Sequence, residues 1–234
     1  MKLTPRLQAI ADLVEQEEMI ADIGTDHGYL PIYLIETGKV KSAIAADINE
    51  MPLQKAKEIS LEYGYEEQMD TRLGSGLEVL RAGEVKTVVI AGMGGVLMTE
   101  LLAHDLKITN SIDKFIFQPM VASDILRVYL NENGFEIVDE EIAIEGKKFY
   151  EIIVAKPNAI GQNFTDKNDA IVGPVLKNKV GEQIDAFYKF KLSKYKNIYQ
   201  SIKQNSKKDA NEELIELENI IMSLEKVMMK REAK

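Results

Sequence analysis

The chain contains no cysteine, which excludes disulfides and every cysteine-based metal site. Histidine is nearly absent, with two residues in 234, and the carboxylates are scattered, so no metal site is expected. No apolar run approaches the ~18 residues needed to span a bilayer. The opening stretch MKLTPRLQAIADLVEQEEM is charged throughout and lacks the continuous apolar segment of a signal peptide. By elimination, a soluble cytoplasmic protein without membrane contact is expected. Positive charge is also scarce, with 29 Lys and Arg against 38 Asp and Glu for a net charge of −9. That balance argues against a nucleic-acid partner; its distribution argues the other way. Residues 176–208 hold nine lysines against only Glu182 and Asp185. One basic segment therefore stands on an otherwise acidic chain.

Apolar residues make up 45% of the chain, enough for one large domain with a core plus a small appendage. Thr4-Pro5 opens a helix, since Thr4 can cap it and Pro5 suits the first helical position. Leu7, Ile10, Ala11 and Val14 follow as one apolar stripe. Short apolar runs at 19–23, 42–46, 69–73, 87–91 and 114–117 then alternate with helical patterns near 30–38, 51–63, 95–104 and 122–132. This alternation predicts a parallel sheet with helices on both faces. Residues 135–144 and 148–155 differ, being separated only by Glu145-Gly146-Lys147, a length suited to an antiparallel hairpin.

Residues 156–165 contain proline, glycine and asparagines and read as a linker, which gives expected domains of 1–158 and 159–234. Beyond Pro174 the pattern is helical. Ile184, Tyr188, Tyr195, Ile198 and Ile202 share one face, and Leu214, Leu217, Ile221, Leu224 and Met228 follow a coiled-coil rhythm. An antiparallel helical hairpin within a monomer and an intermolecular coil both fit; the short connection favours the hairpin.

The loop from Asp22 to Pro31, Asp-Ile-Gly-Thr-Asp-His-Gly-Tyr-Leu-Pro, joins the first strand to a helix. A glycine turn at such a junction lets backbone N–H groups approach a ligand. Asp47 lies at the end of the second strand, the usual place for a carboxylate that binds ribose hydroxyls. The loop resembles the D-x-G-x-G-x-G motif of class I methyltransferases, with Asp26 where the middle glycine is common. Carboxylates at 22 and 26 would repel the pyrophosphate of a dinucleotide and favour the sulfonium and ammonium of S-adenosylmethionine. Asp26 could equally cap the helix that begins near Tyr29; the two roles are compatible.

Together, the strings Asp22–Pro31, Val89–Gly95 (Val-Ile-Ala-Gly-Met-Gly-Gly) and Gln118-Pro119 resemble the TrmK-type family of bacterial tRNA methyltransferases along the full length. The resemblance implies an α/β fold: a class I methyltransferase Rossmann-like sheet followed by a C-terminal antiparallel helical coiled-coil domain. It implies methylation of N1 of the adenine at position 22 of tRNA, with S-adenosyl-L-methionine as cofactor and tRNA as partner. The implied cofactor-binding residues are Asp22, Gly24, Thr25, Gly28, Asp47, Ile48, Gly74, Ser75, Gly76, Ala91, Gly92 and Met93. Ser75 departs from the pattern, because Asp or Asn is expected there to bond the cofactor's adenine amino group.

An unpaired adenine has a free lone pair on N1, so alignment with the activated methyl supplies most of the acceleration. The product ring is cationic, and Asp26 is the candidate carboxylate that stabilises it. His27 and Tyr29 are the other candidate catalytic residues, one lining the pocket and one stacking on the target base; packing roles fit both as well. The Gly92-Met93-Gly94-Gly95 turn lacks the Asn- or Asp-Pro-Pro-aromatic string usual in enzymes that methylate exocyclic amines, which fits a ring nitrogen as target. A tight turn alone would also explain its glycines. Gly94, Gln118 and Pro119 are candidate substrate contacts at the sheet's C-terminal edge. Lys189, Lys191, Lys194 and Lys196 are candidate RNA contacts, with aromatics among them; a lysine face kept for solubility is the plain alternative. Lys2, Arg6, Lys147 and Lys148 are the isolated basic residues near the pocket. A small-metabolite methyltransferase with a dimerising arm and a non-catalytic RNA-binding protein are the competing readings.

Overall fold

The computed structural model describes residues 1–157, 164, 166–205 and 211–232. The chain divides into two compact units, Met1–Gln162 and Asn163–Lys234. The boundary expected after residue 158 lies outside the described residues.

The first unit opens with α1 (Pro5–Leu13), where the Thr4 hydroxyl accepts from the Leu7 N–H and Pro5 takes the first turn. Then follow β1 (Glu17–Ile23), α2 (Tyr29–Glu36), β2 (Val40–Asp47), α3 (Glu50–Tyr63), β3 (Met69–Leu73), β4 (Thr87–Met93), α4 (Gly95–His104), the single turn α5 (Leu106–Thr109), β5 (Lys114–Pro119), α6 (Ser123–Glu132), β6 (Phe135–Glu145) and β7 (Lys148–Pro157). The seven strands form one sheet in the order β3-β2-β1-β4-β5-β7-β6. Strands β1 to β5 are parallel, while β7 runs antiparallel to both β5 and β6. The central strands are buried on both faces, so Ile20–Ile23, Ala43–Ala46 and Val88–Ile90 read as unbroken apolar runs apart from Asp22. The order reverses between β1 and β4, which opens a crevice at their C-terminal ends.

The β6–β7 turn is tighter than the sequence suggested. Glu145 pairs directly with Lys148, leaving Gly146 and Lys147 as a two-residue turn with Gly146 at φ +61, which fits the type II′ pattern. Arg127 on α6 is fully buried and donates to Glu140 (2.6 Å) and Glu151 (2.8 Å). Ser123 donates to the same Glu151 (2.8 Å). This network fastens the β5–α6 connection to the hairpin.

The second unit contains α7 (Lys167–Val172), α8 (Glu182–Asn205) and α9 (Asn211–Glu232). Ion pairs Arg231–Asp185 and Lys196–Glu225 (both 2.6 Å) and the Tyr199–Glu218 hydrogen bond show α8 and α9 to be antiparallel. The buried positions of α9 are Leu217, Ile220, Leu224 and Val227, rather than the expected 214-217-221-224-228 series. Helix α7 also packs on α9, so the buried face is wider than a two-helix seam.

Candidate active site

β1 ends at Ile23 and the chain turns at Gly24, whose φ is +76. A Cβ there would meet only the Met93 side chain, whose Cε lies 2.1 Å away at its movable end, so it is the left-handed conformation that requires glycine. The Gly24 and Thr25 amides both donate to Ala46 O (2.8 and 2.9 Å), pinning the loop to the end of β2. His27 adopts a left-handed φ of +66, uncommon for a side chain with a Cβ. Gly28 occupies the position before α2 and provides no side-chain cap. The capping role considered for Asp26 is therefore not realised: its carboxylate pairs with His27 Nδ1 instead and is 82% exposed. The His27 ring stacks on Tyr29 at 5.6 Å and 8°.

Asp22 lies inside β1, between Ala45 of β2 and Val89 of β4. Burial pushes its carboxyl up from 3.8 to about 6; the Thr25 side chain and the Arg6 charge oppose the shift, while the Asp26 and Asp47 charges add to it. Asp47 closes β2, and its Oδ1 accepts from the Asn49 N–H (2.7 Å) and amide (3.1 Å). Next to it Ile48 is exposed. Gly74 donates to Asp47 O (3.1 Å), so the Gly74-Ser75-Gly76 turn adjoins the end of β2. The Ser75 N–H is held by Glu78 Oε1 (3.0 Å).

β4 ends in Ala91-Gly92-Met93, and Met120 donates to Met93 O (2.8 Å). Gly95 opens α4 against the β5–α6 connection: its amide donates to Val121 O (2.8 Å), and a Cβ would lie 2.0 Å from Ala122 O. Gly94 lies beside it, facing Val121. A cavity of about 400 Å³ opens here, lined by Asp22, Gly24, Asp26, Tyr29, Ala91 and Gly92, with Arg6, Met120, Glu145 and Tyr150 and the apolar Leu7 and Leu30 completing its wall. A depression of about 800 Å³ on the α3 side is larger. It includes only His27 of the expected site residues, so the smaller cavity is the chemical one.

Gln118 is fully buried. Its amide donates to Pro119 O (3.0 Å) and its Oε1 accepts from Arg6 Nη1 (2.8 Å). It therefore orients Arg6 rather than facing an open pocket. The arm lysines differ among themselves. Lys189 and Lys194 are exposed. Lys196 is paired with Glu225, and Lys191 is 8% exposed with its ammonium 4.9 Å from the Phe187 ring centroid.

The family described as methyltransferase domain matches residues 3–153. The Bacillus subtilis protein named tRNA (adenine(22)-N(1))-methyltransferase is 31% identical over 216 residues, 91% of each chain. The crystal structure of B. subtilis m1A22 tRNA methyltransferase TrmK covers 97% of this chain and 99% of its own, with a TM-score of 0.86. The chain belongs to the TrmK family. A Streptococcus pneumoniae protein solved in complex with S-adenosyl-L-methionine is 32% identical (TM-score 0.84; 97% and 100% coverage). Mycoplasma capricolum TrmK, solved with S-adenosyl-homocysteine, is 27% identical (TM-score 0.81; 99% and 100% coverage).

The seven-stranded Rossmann-like sheet found here matches the class I methyltransferase fold. The site residues suit such a cofactor: the left-handed Gly24 turn lines the cavity with no side chain of its own, Asp47 sits at the end of β2, and Asp22 and Asp26 bring negative charge where a dinucleotide would bring phosphates. Among the described residues there is no cluster of metal ligands and no helix long and apolar enough to cross a membrane. The sequence marked Met120 only as the end of the Gln118-Pro119-Met120 string at the sheet's C-terminal edge and Arg6 only as an isolated basic residue; Glu145 and Tyr150 were not assigned. Arg6, Glu145 and Tyr150 lie on α1 and the β6–β7 hairpin, outside every motif.

Proposed function

We propose that this chain transfers a methyl group from S-adenosyl-L-methionine to N1 of the adenine at position 22 of tRNA, acting in the cytoplasm. The observation that carries the reading is the cavity that joins the glycine turn after β1 to the Gly92 turn after β4, with three carboxylates, Asp22, Asp26 and Glu145, in its wall. In this reading the Gly24 turn, Asp22, Asp47 and the turn at 74–76 hold the cofactor. The cofactor supplies an activated methyl group. Adenine N1 carries no proton, so no base is required and the protein's task is alignment. Asp26, exposed and tethered by His27, places negative charge where the ring becomes cationic. Tyr29, stacked on His27, offers a flat apolar face to the target base. The exposed arm lysines, Lys189 and Lys194, are the ones suited to RNA phosphates.

Incubation with methyl-labelled cofactor and tRNA, followed by nucleoside mass spectrometry, tests the proposal. Labelled 1-methyladenosine, lost when position 22 is changed to another base, is the expected result. Label on any other nucleoside refutes it.

A further inference from the structure

The cavity wall includes an acidic group outside the methyl-transfer chemistry described above. Glu145, the last residue of β6, lines it together with Arg6, Asp26, Tyr29 and Tyr150. Its Oε1 is buried and has no hydrogen-bond partner. A buried acceptor left without a donor is costly, and such a group facing a cavity is best explained by a donor on the ligand. The cation lining the same cavity is engaged elsewhere: Arg6 Nη1 donates to Gln118 Oε1 (2.8 Å), and its guanidinium lies 5.6 Å from the Tyr150 ring centroid.

We infer that Glu145 determines base specificity by accepting a hydrogen from the 6-amino group of the adenine whose N1 is methylated. The inference rests on the adenine-N1 reading above. The 6-amino group is bonded to the carbon next to N1, so a base that directs N1 into the cavity brings this donor with it. Guanine would present an oxygen at the same place, which a carboxylate repels, and its N1 bears a proton. As N1 gains the methyl, the ring becomes cationic and its amino group a stronger donor. The interaction is therefore tighter in the transition state than in the ground state and acts on kcat more than on KM. A site built to accept a substrate hydrogen discriminates sharply against an analogue that lacks it.

The test compares full-length tRNA carrying adenine at position 22 with tRNA carrying unsubstituted purine there, which keeps N1 and loses the amine. Wild type should lose about ten- to a hundredfold in kcat/KM on the purine substrate. Glu145→Ala should lose a similar factor on adenine, mostly in kcat, and discriminate no further against purine. Glu145→Gln keeps an acceptor oxygen and should recover part of the preference. Cofactor affinity, measured by calorimetry, should be the same in all three proteins, which also establishes that the variants are folded. Three results would each overturn the assignment. The Ala variant could keep the wild-type preference for adenine over purine. It could bind the cofactor tenfold more weakly, which would place Glu145 against the cofactor. Its loss could instead couple to a 2′-deoxy substitution at position 22, which would place it against the ribose. A wild-type enzyme inactive on adenine-22 tRNA would refute the underlying adenine-N1 reading, an outcome distinct from these three.

Discussion

Asp22→Asn should make the protein more stable and a poorer binder of its cofactor at the same time. Asp22 is buried between two strands, and its carboxyl is raised from 3.8 to about 6, chiefly by burial. A carboxyl whose folded value is raised binds its proton more tightly in the native state. Its contribution favours folding fully below about pH 4 and is lost as pH rises through 6. At pH 7 the ionised carboxylate therefore destabilises the fold by roughly 3 kcal/mol, about two units at 1.36 kcal/mol each. Asparagine removes that charge while keeping the shape. At about 2–4 °C per kcal/mol for a unit of this size, Tm should rise by roughly 6–12 °C at pH 7. The gain should fall to about half by pH 5 and vanish near pH 3. Thermal melts across this range, with cofactor titrations at pH 7, provide the assay. A variant that is less stable than wild type at pH 7, or whose gain does not vary with pH, refutes the reasoning. Unchanged cofactor affinity would remove Asp22 from the binding site.

Asp47→Ala should weaken cofactor binding by up to about 1.5–3 kcal/mol for each charge-assisted bond removed, which calorimetry will detect. Asp26→Asn should lower the methylation rate with cofactor affinity nearly unchanged; wild-type turnover would show that its charge is idle. Reversing Lys189 and Lys194 to glutamate should weaken tRNA binding and reduce the salt slope by roughly 0.7–0.9 for each phosphate no longer neutralised. The same change at Lys191 should instead destabilise the arm, because that side chain is buried against Phe187, and melting curves separate the two effects.

The strands were legible because parallel strands covered on both faces must be apolar throughout, so runs such as Val88–Ile90 stand out in a 29% charged chain. The places of the glycine turn after β1 and of Asp47 at the end of β2 were legible because a left-handed turn needs glycine and a strand end is marked by where its apolar run stops. The seam of α9 was read only in part, because α7 covers a further strip of it and nothing in the rhythm of one helix announces a third. Lys191 carried a usable signal, since Phe187 lies one helical turn before it; the abundance of lysines concealed it. Arg6, Glu145 and Tyr150 left no trace in spacing. They come from the first helix and the closing hairpin, and only the sheet order brings them to the loop after β1.

That order also makes the cavity depend on the whole of the first unit. The Gly24 turn is complete in its amide bonds to Ala46 once β1 and β2 are paired. The far wall of the cavity is not, because Arg6 must meet Gln118, 112 positions away, and Glu145 and Tyr150 arrive only with the last two strands. A first unit that stopped before β6 would lack two side chains of the cavity wall. Completeness of the wall is thus tied to completeness of the sheet.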